Sequence, residues 1–330
     1  MKRRSLLRLL PAVAVPGAAA AWSPSLLAAT PAFPSGVIKI VVPFAAGGSS
    51  DLLARAIAKS MGESLKATVI VDNRPGAGGV IAMEAVMAAP ADGHTLLLAT
   101  NGTHSIGPAL YPGRRIDPLK AFAPVARMHK LANVLLLNPQ VPARNVAELI
   151  AHAKANPGML SFASAGNGSA SHLFGELFKS QAGVELMHVP YRGGSAAMPD
   201  LASGAVSMMF ETIPNALAQV KGGRVRALGV TTATRAAGAP EIPTIAESGL
   251  PGFDVASWSG LCAPAGTPPA VLALLNAQAN QVSRDPAYLQ VLANLAVEPV
   301  IETAEAMDAY TRQDLARWQQ TVKAAKIQLD

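Results

Sequence analysis

Apolar residues in this chain come in short β-branched runs, separated by segments whose apolar residues recur every three or four positions. Residues 37–42, with Val37, Ile38, Ile40, Val41 and Val42, predict a buried strand. Leu53, Ile57 and Met61 at spacing four predict a helix that begins near Asp51, behind a Ser/Asp capping cluster. Between strand and helix lies the loop 43–50, Pro-Phe-Ala-Ala-Gly-Gly-Ser-Ser. A glycine-rich loop at a helix N-terminus offers free N–H groups and the positive end of the helix dipole, so it suits an anion. Residues 160–177 repeat the design: a short strand, the loop 164–171, then a helix with Leu173, Phe174 and Leu177 on one side. Two such cradles predict two similar lobes facing a shared cleft. Each, taken singly, also reads as an ordinary strand-to-helix turn.

Further strands are expected at 68–71, 95–99, 186–189, 206–210 and 225–231, and helices at 80–89 and 146–155 and over a segment ending at Ser203. Loops are expected at 72–79, 100–105 and 190–195. The extended run 124–139 is a candidate crossover between lobes, 257–263 a return strand, and 268–283, 285–295 and 303–325 closing helices. This alternation predicts parallel sheets with loops gathered at the C-terminal strand edge, where open α/β sheets bind ligands.

With 330 residues and 50% hydrophobic content, the chain can bury a full core and is expected to form two domains. The formal charge of +6 overstates its basicity. Lys2, Arg3, Arg4 and Arg8 lie at the N-terminus, and without them 23 basic residues face 21 acidic ones. No basic stripe remains, so nucleic acid is not an expected partner. Residues 1–29 read as an export signal, and Arg3-Arg4 suggests the twin-arginine type, with cleavage favoured after Ala29. No later run approaches 18 apolar residues, so the mature protein is expected to be soluble and periplasmic. Cys262 has no partner for an internal disulfide and is expected to be a buried apolar residue.

Motifs for chemistry are missing. Gly76-Ala77-Gly78-Gly79 starts a dinucleotide fingerprint, but Ile81 occupies its third glycine position. Neither cradle contains the Gly-Lys-Ser/Thr of a phosphate loop, and Ser169 has Asn167 where a nucleophile elbow needs glycine. The histidines form no i,i+4 ligand pair, so no metal or other cofactor is expected. What the strand-end loops do carry is small hydroxyls, amides and glycines: Ser49, Ser50, Asn101, Thr103, Ser164, Asn167, Ser169 and Ser171. Such groups bind by hydrogen bonds and do no chemistry.

These residues also carry a family resemblance. Pro43-Phe44-Ala45-Ala46-Gly47-Gly48 with Asp51 and Arg55 resembles the opening motif of the tripartite tricarboxylate transporter receptors, often called Bug receptors. So do Asn73-Arg74-Pro75-Gly76-Ala77-Gly78-Gly79, the 164–169 loop, His188-Val189-Pro190-Tyr191-Arg192-Gly193-Gly194 and Pro243-Thr244-Ile245-Ala246-Glu247, in order along nearly the whole mature chain. The resemblance implies an α/β, two-lobed type II periplasmic-binding-protein fold. Each lobe would be a mostly parallel sheet flanked by helices, and two crossover strands would join them. Lobe 1 would comprise 36–130 and 251–330, and lobe 2 131–250. It implies a monomeric receptor, not an enzyme, that captures a small mono- or dicarboxylate and delivers it to integral membrane transporter subunits. A sensor receptor of the same fold is the alternative, and a secreted α/β hydrolase a distant third.

The implied site places one carboxylate on N–H groups of Ala46, Gly47, Gly48 and Ser49 and of Gly166, Asn167, Gly168 and Ser169, with the Ser164 and Ser169 hydroxyls helping. Phe44 would pack on the carbon skeleton, with Thr103 and His104 on one side and Tyr191, Arg192 and Glu211 on the other. Arg192 reads equally as a loop brace. Glu211 either recognises an amino or hydroxyl group or caps a neighbouring loop. Ala46 stands where the family usually has proline, Glu211-Thr212 where Asp-Asn is common, and His94 where tyrosine is usual. The ligand itself stays open.

Overall fold

The computed structural model describes residues 33–111, 113 and 116–324. The expected export signal at 1–29 lies outside them.

The chain opens with strand β1 (Ile38–Val42), helix α1 (Ser49–Leu65), β2 (Val69–Asn73), a 3-10 turn (Ala77–Gly79), α2 (Val80–Met87) and β3 (Thr95–Thr100). A π-helical turn (Gly102–Ile106) then runs into α3 (Gly107–Leu110), so the stretch expected as a loop after β3 is helical. Next come α4 (Pro118–Ala121), β4 (Phe122–Leu131), β5 (Asn133–Leu137), α5 (Val146–Ala155), β6 (Ser161–Ser164), α6 (Ala170–Ala182), β7 (Met187–Pro190) and α7 (Gly194–Ser203). The rest is β8 (Met208–Thr212), α8 (Ile213–Lys221), β9 (Arg226–Val230), β10 (Ser257–Pro264), α9 (Pro269–Val282), α10 (Pro286–Asn294), β11 (Glu298–Pro299) and α11 (Ala304–Ala324). The single extended run expected over 124–139 is two strands broken at Ala132, one in each sheet.

Two sheets carry the fold, in the orders β11-β4-β10-β3-β1-β2 and β7-β6-β8-β5-β9. They share a plan. β2-β1-β3 and β7-β6-β8 pair in parallel, while β10 and β5 each run antiparallel to both of their neighbours. The sheets are therefore mixed rather than mostly parallel, because in each lobe the strand next to β3 or β8 has arrived from, or is about to leave for, the other lobe. In this correspondence β1–α1 matches β6–α6, the two cradles, and β8–α8 matches β3 with its π-turn.

Strand alternation explains the layering. Ile38, Ile40 and Val42 point to a core with Leu53, Ile57 and Met61 of α1, while Val41 points the other way, to Trp258, Cys262 and Met307. Cys262 is buried there as expected, and burial pushes its thiol up to about 12. In the second sheet Leu135, Leu137, Phe162 and Phe210 face one core and Val134, Leu136, Ala163 and Met209 the other.

The last helix ties the lobes together. Its Met307 packs on the first sheet, whereas Trp318 is 1% exposed in the core of the second, with its ring 6.0 Å from that of Phe174. Trp318→Ala should cost about 3–5 kcal/mol by deleting a large buried side chain. In a thermal melt that is a fall on the order of 10 °C, and a fall under roughly 2 °C would show that the distal half of α11 adds nothing. Trp318→Phe should cost less, because the indole Nε1 has no partner among the described residues.

Candidate functional site

The lobes meet where helix N-termini point at one another. A cavity of about 70 Å³ lies between them, lined by Gly48, Ser49 and Ser50 of α1, Ser169, Ala170 and Ser171 of α6, and Gly193, Gly194 and Ser195 of α7. Phe44, Asn133, Phe210, Glu211 and Asn215 complete its wall. A second space of about 60 Å³ shares Phe44, Ser49, Ser50 and Ala170 and extends to Thr100, Asn101, Ser257, Trp258 and Ser259. Larger hollows exist. One of about 450 Å³ lies beside the crossovers, where Ala132, Ala236 and Ala256 line it together with Lys130, Arg235 and Glu298. Its charged groups are already paired, Lys130 with Glu298 at 2.8 Å and Arg235 with Glu247 at 3.0 Å, so size is a poor guide to the site here.

Direct contacts hold the cleft closed. The hydroxyls of Thr212 and Ser49 are hydrogen-bonded at 2.7 Å, and the Ala45 N–H donates to the Arg192 carbonyl at 3.4 Å. At the crossovers Asn133 is clasped, its backbone carbonyl accepting from the Thr231 N–H at 2.8 Å and its side-chain oxygen from Ser257 Oγ at 2.7 Å. Asn133, which lines the cavity, is thus pinned to both lobe-joining segments, to one by its backbone and to the other by its side chain.

The donors differ between the two cradles. In the first, the Gly47 N–H is taken by Asp51 Oδ2 at 3.0 Å, and Ala46 and Gly47 are exposed. The N–H groups of Gly48, Ser49 and Ser50 have no partner among the described residues, and no side chain caps α1. In the second, the Gly166 N–H donates to Ser164 Oγ at 3.1 Å, the Gly168 N–H to His172 Nδ1 at 3.1 Å and the Ser169 N–H to the Gly166 carbonyl at 3.0 Å. Three donors expected to hold a ligand are therefore already satisfied within the loop. What this cradle presents instead is the hydroxyl pair Ser169–Ser171, 3.2 Å apart, at the start of α6.

Stacked imidazoles brace that loop. The His172 and His188 rings lie 3.9 Å apart and 9° from parallel, with Phe162 beneath His188 at 4.8 Å. His188 Nε2 sits 2.6 Å from Ser164 Oγ. Burial above all, with the charges of His188 and Lys179, brings the pKa of His172 down to about 3, so its Nδ1 stays an acceptor for the Gly168 N–H.

Of the residues singled out from the sequence, Phe44, Gly48, Ser49, Ser169 and Glu211 line the cavity. Thr103 and Asn167 line a separate groove with Val80, Met83 and Tyr111. His104 is shut between Phe122 and Trp258 with Nδ1 on Thr103 Oγ1 at 2.9 Å, and burial takes its pKa down to about 4. Tyr191 donates to Asp200 Oδ2 at 2.6 Å, and burial, with that bond, raises its phenol to about 12. Arg192 is exposed and touches the first cradle only through its carbonyl. The start of α7 was missed as a lining element. A signal for it exists in the sequence: Pro190-Tyr191-Arg192-Gly193-Gly194-Ser195 echoes Pro43-Phe44-Ala45-Ala46-Gly47-Gly48-Ser49.

Glu211 is the one acid in the cavity wall. Its Oε1 accepts from the Thr212 N–H at 2.7 Å and from Thr212 Oγ1 at 2.9 Å, and Asn215 adds a side-chain bond. Burial is the largest influence on it and raises its pKa against those bonds.

Ser259 in the adjoining space does form a hydrogen bond with His129 Nε2. Burial brings the pKa of His129 down to about 3, and its Nδ1 lies 3.3 Å from the hydroxyl of Tyr288 rather than an acid. An imidazole so weakly basic is a poor general base at neutral pH. Among the described residues no group of three or more His, Cys, Asp or Glu is placed to hold a metal ion.

The sequence pattern of the tripartite tricarboxylate transporter family receptor matches residues 53–327. The chain belongs to this family. It is 41% identical over 292 residues to a UPF0065 protein from the tcbD–tcbE intergenic region of Pseudomonas sp. strain P51, covering 88% of this chain and 87% of that one. Among solved structures, Rpa4515 of R. palustris with adipate superposes with a TM-score of 0.86 at 35% identity, over 89% of this chain and 99% of the other. MatC of Rhodopseudomonas palustris with bound malate gives 0.84 at 32% identity, over 88% and 100%. These superpositions extend across both sheets, so the receptor is two-lobed as its topology indicates.

Proposed function

We propose that this protein is a periplasmic solute receptor that encloses a small organic carboxylate between its lobes and passes it unaltered to integral membrane transporter subunits. The observation that carries the reading is the convergence of the α1, α6 and α7 N-termini on one cavity, where the N–H groups of Gly48, Ser49, Gly194 and Ser195 have no partner among the described residues. Helix N-termini attract anions through those N–H groups and their dipoles. Adipate and malate in the two similar structures support a carboxylate as the anion. The family and the export pattern of residues 1–29 support the periplasm. Bending at 131–133 and 231–257, the segments clasped by Asn133, would open the cleft.

The test is a thermal-shift screen of mono- and dicarboxylates. A ligand at 100 times its dissociation constant should add ~2.7 kcal/mol of stability by mass action. The best ligand, incubated with purified protein, should be recovered unchanged and in full. Steady turnover, or no shift with any carboxylate, would overturn the reading.

A further inference from the structure

Glu211 is 7% exposed, and its position is built rather than incidental. Bonds from Thr212 fix Oε1 at the end of β8, Asn215 adds a bond to the carboxyl, and Oε2 lies against the start of α7. There the backbone makes room for it. A Cβ at Gly194 would fall 1.6 Å from Oε2, so only glycine lets the carboxyl lie where it does. Among the described residues no lysine, arginine or histidine forms an ion pair with it. The cavity therefore has two unlike ends. One offers the unpartnered N–H groups of α1, and the other a buried acid without a counter-ion.

A simple carboxylate bound at α1 would share a space of about 70 Å³ with the Glu211 carboxyl, so that either two negative charges meet there or Glu211 must hold a proton. Like charges at such range repel strongly where water is excluded. A cation on the ligand removes both costs, since it pairs Glu211 and makes the bound molecule neutral overall. A hydroxyl would satisfy one lone pair and leave the charge. We propose that the ligand is a small zwitterion, a carboxylate bearing a protonated amine, with the carboxylate at α1 and the amine on Glu211. This deepens the carboxylate-receptor reading and rests on it.

The proposal is tested by calorimetry on matched series: aspartate, malate and succinate, then 4-aminobutyrate, 4-hydroxybutyrate and butyrate. Within any series that binds, the amino member should be tighter by roughly tenfold to a hundredfold, the worth of one charge-assisted bond. Glu211→Gln keeps the shape and removes the charge. It should abolish that preference, closing the tenfold to hundredfold gap between the amino member and its hydroxy and unsubstituted counterparts. Preference for the hydroxy or unsubstituted member, or an amino preference that survives in E211Q, overturns the zwitterion and leaves the carboxylate receptor standing. Failure of every acid in the wider mono- and dicarboxylate screen overturns both. If E211Q does not fold, the wild-type series alone decides.

Discussion

Acidification from pH 7 to 5 should strip several kcal/mol from the stability of this protein. His104, His129 and His172 are buried, and burial takes their pKa values down to about 4, about 3 and about 3 from an ordinary 6.5. In the unfolded chain all three take up protons as the pH falls through 6.5, whereas the folded protein resists until pH 3–4. The unfolded state then binds up to three more protons, so stability falls as pH drops, by about 4 kcal/mol per pH unit at most. Glu211 works the other way: burial raises its pKa in the folded protein, an effect of opposite sign to that of the histidines. The sum, on the order of 5 kcal/mol at pH 5, is comparable with the whole stability of many domains. Melting temperatures measured from pH 7.5 to 5 at constant ionic strength should fall steadily. A level profile would mean that these histidines titrate normally in the folded protein.

Gly194→Ala should leave a folded protein that has lost its ligand. The added methyl would stand 1.6 Å from Glu211 Oε2 and 2.6 Å from Cδ, far inside contact distance. Oε1 is held by Thr212, so the carboxyl can escape only into the 70 Å³ cavity, where it displaces ligand volume and sheds its bonds. We expect affinity to fall by roughly a hundredfold or more, with a stability loss of about 1–3 kcal/mol from overpacking. The double variant Gly194→Ala/Glu211→Ala relieves the clash and should recover most of the melting temperature but not the affinity for an amino-substituted acid. Calorimetry beside thermal melts separates the two effects. Wild-type affinity in folded Gly194→Ala would remove Glu211 and the start of α7 from the site.

Local order was legible in the sequence because it is set by neighbours in the chain. The alternation in 38–42 settled a strand with two buried faces, and the spacing of Leu53, Ile57 and Met61 settled the helix behind it, since each pattern has only one backbone period that buries it. The matching of the two cradles was also readable, and β1–α1 and β6–α6 do hold equivalent places in the two sheets. What the sequence could not assign was which donors remain free. Gly166 and Gly168 look like Gly47 and Gly48 in sequence. Yet the Gly168 N–H is consumed by His172 and the Gly166 N–H by Ser164, itself held by His188 from a neighbouring strand. That β10 and β5, both expected as extended segments, run antiparallel to their neighbours was hidden for a similar reason: an apolar run announces a strand but not its partner or direction. Most of all, Glu211 meets Gly194 only because β8 and the start of α7 come together when the sheet forms. Periodicity along the chain decides the elements. The burial of an acid against a helix start, and with it the character of the site, is decided by contacts between residues distant in sequence.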